Sequence, residues 1–135
     1  MITKITHLTL FVNNQDEALN FYTENLGFRV HTDAMFGPMR WLTLHPFEQP
    51  HFELSIMLAE NDAEKALVGK QGAEKPLFCI ESTDCKKDYA RLKANGVTVI
   101  GEPEEQPWGI SISLKDPAGN IIYMVQPTAL TGGCC

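Results

Sequence analysis

The sequence predicts an α+β protein built from two tandem βαβββ modules, and three observations carry that prediction. Short segments alternate apolar and polar residues with the period of two that marks a strand with one buried and one wet face. Two helical segments, each opened by an Asn, Thr or Asp cap and closed by Gly, interrupt those strands at corresponding places. The whole pattern then recurs: the first strands stand 70 residues apart (77 − 7), and so do positions in the later hairpins (114 − 44 and 123 − 53).

In chain order, residues 5–12 alternate strictly, with Leu8, Leu10 and Val12 on one side and His7, Thr9 and Phe11 on the other. Asn13 or Asn14 caps a helix whose first turn carries Asp16 and Glu17, favourable at the positive end of the helix dipole. Ala18, Phe21, Tyr22 and Leu26 form its apolar stripe, and Gly27 ends it in a left-handed conformation. Phe28 to His31 forms a short strand, Met39 to His45 another and Phe52 to Leu58 a third, with loops at 36–38 and 46–50. Residues 60–75 lose the pattern and read as a linker, with a surface helical turn within 62–70.

The second copy begins with a strand from Leu77 to Ser82, capped at Thr83 or Asp84 into a helix containing Tyr89, Leu92 and Lys93, which Gly96 stops. Val97 to Ile100, Ile110 to Leu114 and Ile121 to Gln126 complete it. The turn between the last two strands is Asp116-Pro117-Ala118-Gly119-Asn120, where Pro presets φ and Gly or Asn tolerates φ > 0. Residues 128–135, ending in Cys134 and Cys135, are expected to be a flexible tail. A single domain over 1–127 is therefore expected, with modules at about 3–60 and 76–127.

Bulk properties narrow the function classes. The net charge of −6 and pI of about 5.1 argue against an electrostatic footprint for nucleic acid or an anionic membrane. No apolar run approaches the roughly 20 residues of a membrane helix, and the N-terminal residues enter an alternating strand instead of an apolar leader. The cysteines Cys79, Cys85, Cys134 and Cys135 have neither zinc-site spacing nor a plausible disulfide pattern, so a cytoplasmic location is expected.

The DPxGN turn joining two strands, at the end of a repeated βαβββ unit, resembles the vicinal oxygen chelate superfamily, which includes glyoxalase I, bleomycin-resistance proteins and extradiol dioxygenases. The resemblance covers residues 3 to about 127. It implies a curved, mostly antiparallel sheet around a concave cavity with helices outside, a homodimer, and in many members a divalent metal. The family's ligand positions, on the first and fourth strands of each module, are matched here to His7, Glu53, Leu77 and Tyr123.

That set is chemically incomplete. Leu77 has no lone pair, and a phenol of pKa ~10 such as Tyr123 is a poor ligand at neutral pH. Catalytic sites use about three protein ligands, so His7 and Glu53 alone do not make one. Completing the set would need Glu81, His31, His45 or His51 to turn inward. The expectation is therefore a protein without a resident cofactor, which binds a small organic molecule in its cavity as bleomycin-resistance proteins do. The alternative is a lyase, isomerase or dioxygenase using Zn, Ni, Mn or Fe, with His7 and Glu53 as metal ligands and the metal as Lewis acid on the substrate.

Strand parity names the cavity lining: Thr9, Phe11, Trp41, Ser55 and Met57 beside His7 and Glu53 in the first copy, and Leu77, Cys79, Ser111, Ser113 and Tyr123 in the second. A mixture of aromatic bulk with a few hydrogen-bonding groups suits a small-molecule site. Should His7 and Glu53 meet, the carboxylate would favour the charged imidazole and allow general acid/base chemistry, with Tyr123 the third catalytic candidate. The blander readings are a hydrogen-bonded histidine at His7, an ion pair of Glu53 with His7 or Arg40, and a packed aromatic at Tyr123. Cys85, at a predicted helix N-terminus beside Lys86 and Lys87, has a setting that lowers a thiol pKa, but no histidine accompanies it.

Overall fold

A computed structural model describes residues 1–128, which fall into two compact units, Met1–Gly69 and the chain from Lys70 onward. Each unit holds one four-stranded mixed sheet and one ten-residue helix. The expected tail lies outside the described residues except for Thr128, whose N–H donates to Trp108 O at 3.1 Å.

The first unit contains β1 (His7–Val12), α1 (Gln15–Glu24), β2 (Arg29–Phe36), β3 (Met39–His45) and β4 (Glu53–Leu58), followed by the short α2 (Asp62–Leu67). Its sheet order is β1-β4-β3-β2, with β1 parallel to β4 and the other pairs antiparallel. Leu10, Val12, Leu42, Leu44, Leu54 and Ile56 alternate inward and are at most 4% exposed, with Ala18, Phe21 and Tyr22 of α1 also buried. At roughly 1.5–3 kcal/mol for each large apolar side chain removed from water, this layer is the main stabilising element of the unit. Leu8, expected on that buried face, stays 38% exposed at the strand start.

Both helix starts follow the sequence. Asn14 Oδ1 accepts from Glu17 N–H at 2.9 Å, and Asp84 Oδ1 from Lys87 N–H at 3.1 Å, each satisfying a backbone donor that the helix leaves unpaired. The C-caps are Asn25 and Asn95, with Gly27 (φ 72°) and Gly96 (φ 83°) just beyond them turning the chain into the next strand. In the linker, α2 is capped by Asn61, whose Oδ1 accepts from Glu64 N–H at 2.8 Å while the Glu64 carboxylate accepts from Glu60 N–H at 3.0 Å.

The second unit contains β5 (Phe78–Glu81), α3 (Cys85–Ala94), β6 (Val99–Gln106), β7 (Gly109–Lys115) and β8 (Ile121–Pro127), in the order β5-β8-β7-β6. Helix, second strand and third strand repeat at an offset of 70: 15–24 becomes 85–94, 29–36 becomes 99–106, and 39–45 becomes 109–115. Two strands run further than the sequence pattern implies. β2 continues past His31 to Phe36, and β6 past Ile100 to Gln106, because each carries a register shift that breaks its alternation.

Candidate functional site

The first unit gathers polar side chains on the sheet face turned away from the Leu/Ile layer. Glu53 opens β4, with its N–H donating to Thr6 O at 2.8 Å, and stands directly beside His7 across the parallel β1/β4 ladder. His7 Nε2 lies 3.0 Å from Glu53 Oε2, and His31 Nδ1 lies 3.0 Å from Glu53 Oε1. Thr43, fully buried on β3, donates its hydroxyl to Glu53 Oε1 at 2.7 Å. The Glu53 side chain is only 14% exposed, against 39% and 43% for His7 and His31. A half-buried carboxylate needs such partners, since burying a charge without them is costly.

These contacts fix proton positions. An ionised carboxylate only accepts, so the ring nitrogen facing it must carry hydrogen: Nε2 in His7 and Nδ1 in His31. His7 Nδ1 is then placed to accept from Thr6 Oγ1, 2.8 Å away. His31 Nδ1 also lies 2.9 Å from Thr32 Oγ1, and no hydrogen bond among the described residues uses its Nε2.

His31 reaches Glu53 through a bulge. Val30 pairs with Leu44 and Thr32 with Thr43, so β2 carries one extra residue there, and that residue is His31. Parity alone could not place it. The sequence offers only a histidine at the expected end of a short strand, Phe28 to His31. Arg40, the other partner considered for Glu53, is engaged elsewhere: its guanidinium donates to both Asp33 oxygens at 2.9 Å and to Asp16 at 2.7 Å.

One rung along from His7 and Glu53 runs a row of hydroxyls, Thr9, Ser55, Thr43 and Thr32, one from each strand. Ser55 Oγ is buried and has no hydrogen-bond partner among the described residues, a rare condition that water or a ligand ordinarily relieves. Trp41, on the same face by parity, has its ring 6.0 Å from that of His7. His45 closes β3 with its ring edge-on to His31 at 6.4 Å and its Nδ1 2.7 Å from Pro46 O. Phe11 and Met57 pair across the β1/β4 ladder beyond the hydroxyl row. His51, in the loop before β4, is exposed.

The second unit differs in chemistry and in alignment. Ser113 pairs with Tyr123 just as Thr43 pairs with Ser55, so the fourth strands align at an offset of 68 (123 − 55), not 70. The loop before β8 spans five residues, 116–120, where that before β4 spans seven, 46–52. The counterpart of Glu53 is therefore Ile121, and Tyr123 corresponds to Ser55; pairing Tyr123 with Glu53 from a constant offset is corrected by the strand register. Leu77, the counterpart of His7, donates its N–H to Ile121 O at 2.8 Å.

Tyr123 sits between Cys79 on β5 and Ser113 on β7, and its hydroxyl accepts from Trp108 Nε1 at 3.0 Å. Trp108 itself occupies the β6–β7 turn. Ser111 is buried beside Val125 on the next rung. The pKa-lowering setting that the sequence gives Cys85 is overturned: the residue is fully buried, and burial followed by the charges of Asp88 and Asp84 pushes its thiol pKa up. The dipole and lysines that would favour a thiolate are outweighed because the sulfur has left water.

The donor set bears on the metal that the resemblance implies. His7 and Glu53 have hydrocarbon counterparts in Leu77 and Ile121, the Tyr123 hydroxyl is taken by Trp108, and both Glu53 oxygens are taken by protein donors. Among the described residues no three His, Cys, Asp or Glu side chains are grouped to hold an ion. Of the residues that could complete the set, His31 does turn in to Glu53, yet its Nδ1, like His7 Nε2, is engaged by the carboxylate itself, and the four family positions do not by themselves fit the divalent cation.

A pair of βαβββ units with one polar sheet face defines the class, and sequence comparison agrees. The Glyoxalase/Bleomycin resistance protein/Dioxygenase superfamily model matches residues 4–124, and the chain belongs to that superfamily. The Bacillus subtilis (strain 168) protein YurT is 38% identical over 127 residues, covering 91% of this chain and 98% of its own. Among solved structures, UcmS2 superposes with a TM-score of 0.81 at 29% identity, over 93% of this chain and 98% of that one. TnmS3 from Streptomyces sp. CB03234, described as an antibiotic binding protein, has a TM-score of 0.72 at 28% identity, over 94% and 98%.

Proposed function

We propose that this chain is a binding protein of the superfamily that takes up a small organic molecule on the sheet face of its first unit, without a family-type metal. The observation that carries the reading is the Glu53 cluster. A carboxylate held by His7, His31 and Thr43 beside Trp41 is a preorganised polar group next to an aromatic platform, the combination by which small-molecule sites orient a ligand. The likeness to TnmS3, whose description names antibiotic binding, supports the same class of ligand.

Thermal-shift and NMR titration with a panel of aromatic antibiotics test the reading. Binding should perturb the Trp41 indole and weaken in Trp41→Ala and Glu53→Gln. A panel that leaves the Trp41 signal unmoved would overturn it. The alternative, a metal-dependent lyase, isomerase or dioxygenase, is tested by elemental analysis of chelator-free protein: a stoichiometric ion lost in His7→Ala would establish it. We further propose a homodimer acting in the cytoplasm, with Cys79 and Cys85 outside any disulfide; light scattering reads the mass. No helix among the described residues is long and apolar enough to cross a membrane.

A further inference from the structure

We infer that His31 Nε2 is the hydrogen-bond acceptor that selects the ligand, so that the site prefers an aromatic molecule bearing a hydroxyl or N–H donor over its donor-less analogue. The inference rests on the small-molecule reading above and deepens it. It follows from the direction in which Glu53 forces the ring. Because Nδ1 faces the carboxylate, Nδ1 carries the hydrogen, and in the neutral imidazole the lone pair is left on Nε2.

His7 cannot play that part, since its Nε2 faces Glu53 and its Nδ1 faces Thr6. Glu53 is the less open acceptor, its side chain 14% exposed and already accepting from His7, His31 and Thr43, which leaves about one of its roughly four acceptor positions. His31 is the most exposed of the three, and no described residue bonds its Nε2. Its ring also stands edge-on to His45, which limits the ways it can turn. A second observation marks the face as unfinished: Ser55 Oγ, buried one rung from Glu53, has no partner of its own. Trp41 supplies the flat surface on which an aromatic ring can lie.

The test uses β-naphthol and its O-methyl ether, which share a ring system and differ in one donor. Both are titrated into the full-length protein, with the Trp41 indole followed in proton–nitrogen NMR spectra. Naphthol should bind about fivefold more tightly, the worth of one neutral hydrogen bond. His31→Phe should equalise the two probes while both still move the Trp41 signal. His31→Gln, whose amide can donate to Glu53 and still accept outward, should restore part of the preference. Equal binding in the wild type, or a preference surviving in His31→Phe, would overturn the inference and leave the binding reading standing. A proton found on His31 Nε2 in mildly alkaline solution would overturn it independently of any ligand. Failure of both probes to move Trp41 would remove the aromatic-ligand reading and the inference together.

Discussion

His31 Nδ1 and Glu53 Oε1 lie 3.0 Å apart although their strands, β2 and β4, are separated in the sheet by β3. The contact spans that gap because the β2 bulge sets His31 outside the regular ladder, over His45 and toward the carboxylate. A one-residue irregularity thus makes a site from what would otherwise be a His7–Glu53 pair.

Thr43→Val tests the buried anchor of that cluster. The valine keeps the volume and removes the hydroxyl that donates to Glu53 Oε1 at 2.7 Å. Losing a hydrogen bond to a charged acceptor should cost about 1.5–3 kcal/mol, measured by denaturant unfolding. An unchanged midpoint would mean that Glu53 finds an equivalent donor without Thr43.

Gly109→Ala should be among the most damaging single-methyl changes in the second unit. At φ 148° a Cβ would stand 2.1 Å from Gln126 O, a backbone atom that cannot step aside without breaking the β7/β8 ladder. The expected loss is about 3 kcal/mol or more, read as a lowered melting temperature.

Asp116 organises the turn before β8. Its Oδ1 accepts from Gly119 N–H at 3.0 Å and Asn120 N–H at 2.8 Å, and its Oδ2 from the Asn120 amide at 2.9 Å. Asp116→Ala leaves the buried Asn120 N–H and side-chain amide without that acceptor, while Gly119 N–H keeps its bond to the Asp116 backbone oxygen, and should destabilise by about 2–4 kcal/mol, whereas Pro117, exposed in the same turn, should tolerate Ala within about 1 kcal/mol.

The Arg40 network makes an acid-side prediction. Hydrogen bonding to Arg40, opposed by slight burial and aided by Arg40's charge, holds Asp33 below its ordinary carboxyl value of 3.8. A depressed folded-state pKa contributes stability that is present above the unfolded value and lost as pH falls through the folded one. Asp33→Asn should therefore lower stability at neutral pH by about 0.2–1 kcal/mol, small because the pair is partly exposed, and the difference from wild type should shrink below about pH 4. A gap that persists into strong acid would assign the loss to packing.

Thiol reactivity separates the two cysteines that lie among the described residues, Cys79 and Cys85. Cys79 is exposed and Cys85 buried with a raised pKa, so alkylation at neutral pH followed by peptide mapping should label Cys79 rapidly and Cys85 only on unfolding. Equal labelling would show that α3 opens readily at its N-terminus.

Much of this protein was legible in the linear chain, and the reason is local physics. Strand alternation, the Asn14 and Asp84 caps, the glycines after each helix and the Asp116–Asn120 turn act over a few residues, so their geometry follows from neighbours in sequence. Strand parity within the first copy was enough to put His7, Glu53 and Trp41 on one face. Three features depended on the assembled units. The loop before β8 is two residues shorter than its counterpart, so the register, and not the count, aligns Ile121 with Glu53 and Tyr123 with Ser55. The β2 bulge turned His31 into a partner of Glu53, and burial silenced the Cys85 thiol. Hydrogen bonding between strands and removal from water are set by residues distant in the chain, and only the tertiary structure could decide them.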